Sequence, residues 1–245
     1  MTARAETTGA PHRRWRVEFS VLLAALFAAG GAWGFVELME FASAEQPHAF
    51  DERILLLFRE AGDPGQALGP PWVEEAMRDI TALGGVAVLV LLLLFSTLFL
   101  LLSGRPGAAL FLLIAVGGGQ WLSSTLKLFV DRPRPELVTH LAEVFTLSFP
   151  SGHAMMSAVT YLTLGSLIAR VLPGRGLKLY VLFVAVTLTL LIGVSRVYLG
   201  VHWPSDVLAG WCAGAAWAVL CWLLARLLLS RRKASETVVA DASDD

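Results

Sequence analysis

Charge is what this sequence has least of. Only 16% of its 245 residues are Asp, Glu, Lys or Arg, and the formal net charge is -1. That scarcity removes the grounds for a nucleic-acid partner, because a phosphate backbone is held by an extended basic field. Cysteine is nearly absent too. Cys212 and Cys221 are the only two, both inside one apolar run. Their spacing along a helix, at about 100° per residue, puts them on roughly opposite faces. Neither a disulfide nor a metal site follows, and both read as small apolar helix residues. No internal repeat is visible. What fills the chain instead is apolar: 56% of residues are hydrophobic and the mean hydropathy is +0.66, so lipid is the expected solvent.

Crossing about 30 Å of hydrocarbon takes about 20 helical residues. Six runs meet that length: Val17–Leu38, Ile80–Leu102, Gly107–Val130, His153–Leu172, Leu177–Ser195 and Asp206–Leu229. The expectation is an all-α polytopic membrane protein with six transmembrane helices and short extracytoplasmic amphipathic helices. It divides into a cytoplasmic N-terminal segment (1–16), a six-span domain (17–230) and a polar, acidic, disordered cytoplasmic tail (231–245). Arg13, Arg14 and Arg16 precede the first run as they would a secretory signal, but its length makes it a span.

Between the first two spans, Met39–Asp79 mixes apolar and charged residues. It reads as two short amphipathic helices, one from Phe50 and one from Pro71, broken at Asp63-Pro64-Gly65 and Gly69-Pro70-Pro71. They are expected in the interface, with Trp72 as an anchor, either shaping a lipid path or covering the outer face.

Basic residues orient the chain. With the N-terminus inside, the cytoplasmic segments hold Arg4, Arg13, Arg14, Arg16, Arg105, Arg170, Arg175, Lys178, Arg226, Arg231, Arg232 and Lys233, against Arg53, Arg59 and Arg78 outside. That asymmetry places both termini in the cytoplasm. Lys127, Arg132, Arg134 and Arg196 fall outside against the bias, and so call for a separate reason.

Three polar clusters interrupt the apolar pattern, all at outer span ends: Lys127 to Pro135, Phe149-Pro-Ser-Gly-His153, and Ser195-Arg196 through His202 to Asp206. Lys127, Arg134 and Arg196 bring three cations to the membrane edge, where an anion is needed to offset them. Phosphate fits, since arginine presents a fork to two oxygens and lysine a point charge. Ser151 is placed to cap the fourth span, and Gly152 lets the helix-start amides approach an anion. His202 stands one turn before Asp206, so the carboxylate can hold one ring nitrogen and leave the other as a nucleophile. His153 then serves as the acid that protonates the departing oxygen, and as base toward water in a second step.

Those three clusters, in this order and spacing, resemble the signatures of the type 2 phosphatidic acid phosphatase superfamily. The motif match covers Lys127–Asp206 and the six-span pattern extends it over most of the chain. The resemblance implies phosphate binding by Lys127, Arg134, Ser151, Gly152 and Arg196, leaving-group protonation by His153, attack by His202 and orientation by Asp206. It also implies hydrolysis of a lipid phosphate or pyrophosphate without metal or other cofactor; the basic-residue asymmetry puts the site on the extracytoplasmic side, and a short chain with minimal loops suits a bacterial inner membrane. Phosphatidic acid, phosphatidylglycerol phosphate and undecaprenyl pyrophosphate are the natural substrate candidates. Phosphotransfer to an acceptor alcohol on the same scaffold and a non-catalytic anion transporter stay open, while vanadate-dependent halide oxidation is disfavoured by the six spans. Oligomeric state is not legible.

Other polar residues take plainer readings. His12, His48 and His140 are surface or loop residues. Asp131 and Arg132 shape a turn by mutual or backbone contact rather than by chemistry. Gly117–Gly119 and the Gly210/Gly214 pair allow close helix packing.

Overall fold

The computed structural model describes residues 11–43, 49–142 and 146–243. In chain order these form α1 (Pro11–Ala42), α2 (Ala49–Leu56), β1 (Arg59–Glu60), β2 (Asp63–Ala67), α3 (Pro71–Ala82), α4 (Val86–Leu102), α5 (Pro106–Leu126), α6 (Gly152–Val171), α7 (Arg175–Tyr198) and α8 (Pro204–Ser243). Five helices, α1, α5, α6, α7 and α8, are each long and apolar enough to cross a membrane, and α3 and α4, bent by 45° where they meet, reach that length only when taken together as one span.

The second span departs from the straight helix expected over Ile80–Leu102. The helix breaks after Ala82 and restarts at Val86, with a bend of 45°. Adjacent Gly84 and Gly85 explain the break, since glycine weakens a helix and lets backbone approach a neighbour closely. A Cβ on Gly84 would lie 2.5 Å from Ile192 Cγ2 of α7 and 3.5 Å from His153 Cδ2 of α6. The third span, α5, also ends earlier than the expected Val130, because the chain tightens after Leu126 into turns in which Leu128 and Phe129 donate to the Thr125 and Leu126 carbonyls. Residues 1–10 of the expected N-terminal segment lie outside the described residues, and α1 begins at Pro11. Helix α8 runs on to Ser243, through most of the tail expected to be disordered; Arg, Lys, Ala and Glu beyond Leu229 are strong helix formers.

Both short helices expected in the extracytoplasmic segment are present, joined by an antiparallel β1–β2 hairpin that the sequence pattern did not announce. Arg59 pairs with Ala67 and Glu60 with Asp63, around the Gly62 turn at φ +91°. These strands carry no apolar alternation, the usual sign of pairing. Trp72 is 67% exposed, as an interfacial anchor would be.

Helix α6 is the central element, flanked by α5, α7 and α8, with α1 lying along α8 and α4 beside α5. Buried Leu112, Met155, Val159 and Ile192 fill the space between them. Large apolar side chains elsewhere point outward, among them Phe95 and Phe99 of α4 and Phe183 of α7. Such a surface suits lipid and would be costly in water. The glycine readings hold as packing: Gly118 lies against Trp217, and Gly210 and Gly214 bring α8 onto the start of α6. Successive hairpins alternate direction, so the ends of α1, α5 and α7 and the starts of α4, α6 and α8 share one face of the bundle.

Candidate active site

The start of α6 is tied to the start of α8. Ser151 caps α6, its Oγ accepting from the Ala154 N–H at 3.5 Å, while its own N–H donates to the Asp206 carbonyl at 3.0 Å. A Cβ at Gly210 would stand 2.7 Å from the Ser151 carbonyl, so this approach requires glycine. The amides opening α6 and the residues opening α8 therefore border the same space.

His202, 2% exposed, sits in the turn before α8. Its Nδ1 lies 3.5 Å from Asp206 Oδ2 and 3.4 Å from Ser148 Oγ. Ser148 donates its hydroxyl to the same Asp206 oxygen, and the Trp203 N–H donates to it at 3.0 Å. On the other side of the ring, Arg134 Nη1 lies 3.3 Å from Nε2. A guanidinium only donates, so Nε2 is the acceptor and the ring proton belongs on Nδ1, toward Asp206. Burial pushes the His202 imidazole down to about 4, with Asp206 opposing the shift and Arg134 and Arg196 adding to it. The ring is therefore neutral near pH 7, with the Nε2 lone pair directed at the cations.

Three cations line the space in front of it. Arg134 donates to the Val201 carbonyl and, at 2.8 Å, to the Thr146 carbonyl. Lys127 donates to the Leu147 and Pro150 carbonyls at 2.9 and 3.1 Å. Burial, and next the charge of Arg134, pull the Lys127 ammonium down to about 8, with Asp206 opposing and Arg196 adding to the fall. Arg196, 4% exposed, donates to Thr81 Oγ1 at 3.1 Å, and its Nε has no partner among the described residues. A buried N–H without an acceptor costs about 1–3 kcal/mol, and a bound oxyanion would supply the acceptor.

His153, in the first turn of α6, is half-buried, and its side chain takes no hydrogen bond among the described residues. It borders a cavity of 460 Å³ between α4, α5 and α6. Lys127, Gly152 and His153 lie in its wall with Gln120, Ser123, Ser124 and Thr146, and Leu89, Val90, Leu93 and Val116 supply much of its apolar lining. The cavity is polar toward Lys127 and mostly apolar away from it.

Sequence reasoning missed several groups around these side chains. Arg132 does not serve its own turn: it is buried and bonds Asp206, Ser205 and Asp51. Ser148 and Thr81 hold Asp206 and Arg196 respectively. The signal for Arg132 was its position, outside against the charge bias, which it shared with the three cations. His140 is exposed and its Nε2 donates to the Pro135 carbonyl at 2.6 Å; His48 lies outside the described residues, as does the side chain of His12.

Comparison with known proteins decides the family. The PAP2 superfamily pattern matches residues 108–228. Phosphatidylglycerophosphatase B of Bacillus subtilis (strain 168) is 34% identical over 145 residues, which is 59% of this chain and 71% of that protein. The chain belongs to the PAP2 superfamily. It is a membrane phosphatase with the type 2 phosphatidic acid phosphatase fold, a hydrolase of phosphate esters. The crystal structure of the transmembrane PAP2-type phosphatidylglycerolphosphate phosphatase from Bacillus subtilis superposes with a TM-score of 0.71 at 28% identity, covering 79% of this chain and 93% of that one. An undecaprenyl-diphosphatase of Sulfolobus acidocaldarius shares 38% identity over 68 residues, 28% of this chain and 29% of that protein.

Proposed function

We propose that this protein hydrolyses a lipid phosphomonoester or pyrophosphate at the extracytoplasmic face of the membrane, through a phosphohistidine on His202 and without a metal ion. The observation that carries the lipid reading is the 460 Å³ cavity between α4, α5 and α6, mostly apolar, with Lys127, Gly152 and His153 in its wall. Acyl or prenyl chain suits the one part and a phosphate headgroup the other. Relatives named for phosphatidylglycerol phosphate and undecaprenyl diphosphate support the same class.

In the proposed reaction, Lys127, Arg134, Arg196 and the amides opening α6 hold the phosphoryl oxygens and offset charge that develops during transfer. His202 Nε2 attacks the terminal phosphorus; the P–N bond forms as the P–O bond to the lipid alcohol, or in a pyrophosphate to the lipid-bound phosphate, breaks. His153 gives its proton to the departing oxygen. Water then attacks the phosphohistidine, His153 takes the water proton, and the P–N bond breaks to release phosphate. Asp206 keeps the His202 proton on Nδ1 throughout. The excess of basic residues on the side opposite the site supports cytoplasmic termini and an outward-facing pocket.

The test is purified protein in detergent with chelator, given phosphatidic acid, phosphatidylglycerol phosphate and undecaprenyl pyrophosphate beside a His202→Ala control. Phosphate release from at least one lipid, absent in the control, is expected. Silence on all three overturns the lipid-phosphatase reading, and release that disappears in chelator overturns the metal-free mechanism.

A further inference from the structure

The densest set of buried charge lies behind His202, away from the phosphate-facing cations. Asp51 belongs to α2, in the segment between the first two spans, yet it is 0% exposed; Asp206 is 0% and Arg132 6% exposed. Arg132 Nη1 donates to Asp206 Oδ1 at 2.6 Å and to Ser205 Oγ at 2.7 Å, and Nη2 donates to Asp51 Oδ2 at 2.7 Å. Asp51 also accepts the Ser205 N–H at 2.8 Å and the Ser205 hydroxyl at 2.6 Å. The guanidinium stacks over Trp203, 5.6 Å from the ring centroid, and the Trp203 N–H holds Asp206 Oδ2.

Two consequences follow from this arrangement. Arg132 takes one Asp206 oxygen while Ser148 and Trp203 take the other, so the carboxylate cannot rotate and Oδ2 stays on the side of His202 Nδ1. A guanidinium paired only with Asp206 would also cancel the negative charge that supports the imidazole. Asp51 supplies a second carboxylate for that guanidinium, and the set of three keeps a net negative charge next to His202.

We infer that Asp51 and Arg132 are positioning residues for phosphoryl transfer, and that α2 supports the nucleophile from outside the six spans. The inference rests on the phosphatase reading above, with His202 as nucleophile.

Asp51→Asn keeps the shape and loses the charge. It is expected to lower kcat by about 10- to 100-fold, the range seen when a partner that orients a functional group is removed. KM should stay within about twofold, because the phosphate-binding cations are untouched. Thermal midpoints of both proteins are measured alongside. A folded Asp51→Asn with wild-type kcat and a lowered midpoint overturns the inference and leaves α2 a structural clamp. A raised KM at unchanged kcat overturns it as well. Should Asp51→Asn fail to fold, Arg132→Lys answers instead: it keeps the buried charge but cannot span Asp51 and Asp206 with a fork. A fall in kcat at constant KM supports the inference, and unchanged kcat overturns it. If wild-type protein releases no phosphate from any lipid, the phosphatase reading fails and this inference goes with it; a silent variant beside an active wild type leaves that reading intact.

Discussion

The two imidazoles of the site stand in opposite surroundings. His202 is closed in, its Nδ1 side backed by Asp206 and Ser148 and its Nε2 facing Arg134. His153 is half-buried in the wall of an open, mostly apolar cavity, and its side chain takes no hydrogen bond among the described residues. The contrast separates two demands. A nucleophile gains from a fixed tautomer and a fixed direction of attack, whereas a proton donor must meet a leaving group whose position depends on how a long substrate lies in the cavity.

The largest effect that tests this contrast is His202→Ala, expected to remove activity by on the order of 10⁴-fold or more on every substrate. His153→Ala should cost about 10²- to 10⁴-fold on lipid phosphates and far less on p-nitrophenyl phosphate, whose leaving group needs no proton. Equal losses on the aryl ester would break the assignment of separate roles. Initial rates on both substrates decide it.

Next in size is Gly84→Ala. Its methyl would meet Ile192 Cγ2 at 2.5 Å, and Ile192 is buried and branched at Cβ, so the bend at α3–α4 must shift against His153. A loss of about tenfold in kcat/KM is expected, with His202 unaffected. Chemical trapping of phosphohistidine from an activated aryl phosphate should therefore survive the substitution.

The pH dependence is carried by His202 and Lys127, both shifted and both outside the spans. His202 is lowered to about 4, so it remains unprotonated as pH falls through the ordinary histidine range. Lys127 is lowered to about 8, so its cation is present below that pH and lost above it. kcat/KM, which reports free-enzyme groups, should fall as pH rises through about 8. Lys127→Gln should start lower and flatten that limb; an unchanged limb would sever Lys127 from phosphate binding. The smallest effect is expected from Leu93→Trp, which narrows the cavity away from the polar end. It should slow a long-chain lipid phosphate by a few-fold and leave a soluble short-chain ester untouched, a difference readable from paired KM values.

How much of this was legible in the sequence varies with the range of the interactions. Helix starts and stops near Lys127, Ser151 and Pro204 were readable from local signals, and hairpinned spans of similar length carry such ends to one face. The Gly84-Gly85 pair was visible too, but the apolar run around it outweighed the glycines, and only its packing on Ile192 and His153 shows why the helix breaks there. Arg132 read as a turn residue because its partners, Asp51 and Asp206, lie 81 and 74 residues away. Ser148 and Thr81 carry no motif at all, and their roles come from contacts 58 and 115 residues apart.

By itself, then, the order of residues determined the solvent, the number of spans, the sidedness of charge and the face on which the polar clusters gather. These depend on hydropathy and spacing along one dimension. Only the tertiary structure decided which buried acid answers which buried base, where the second span bends, and that a helix outside the bundle reaches the arginine holding the carboxylate behind His202. Pairing of buried charge depends on distances in space, and desolvation makes each such pairing strongly dependent on its exact neighbours.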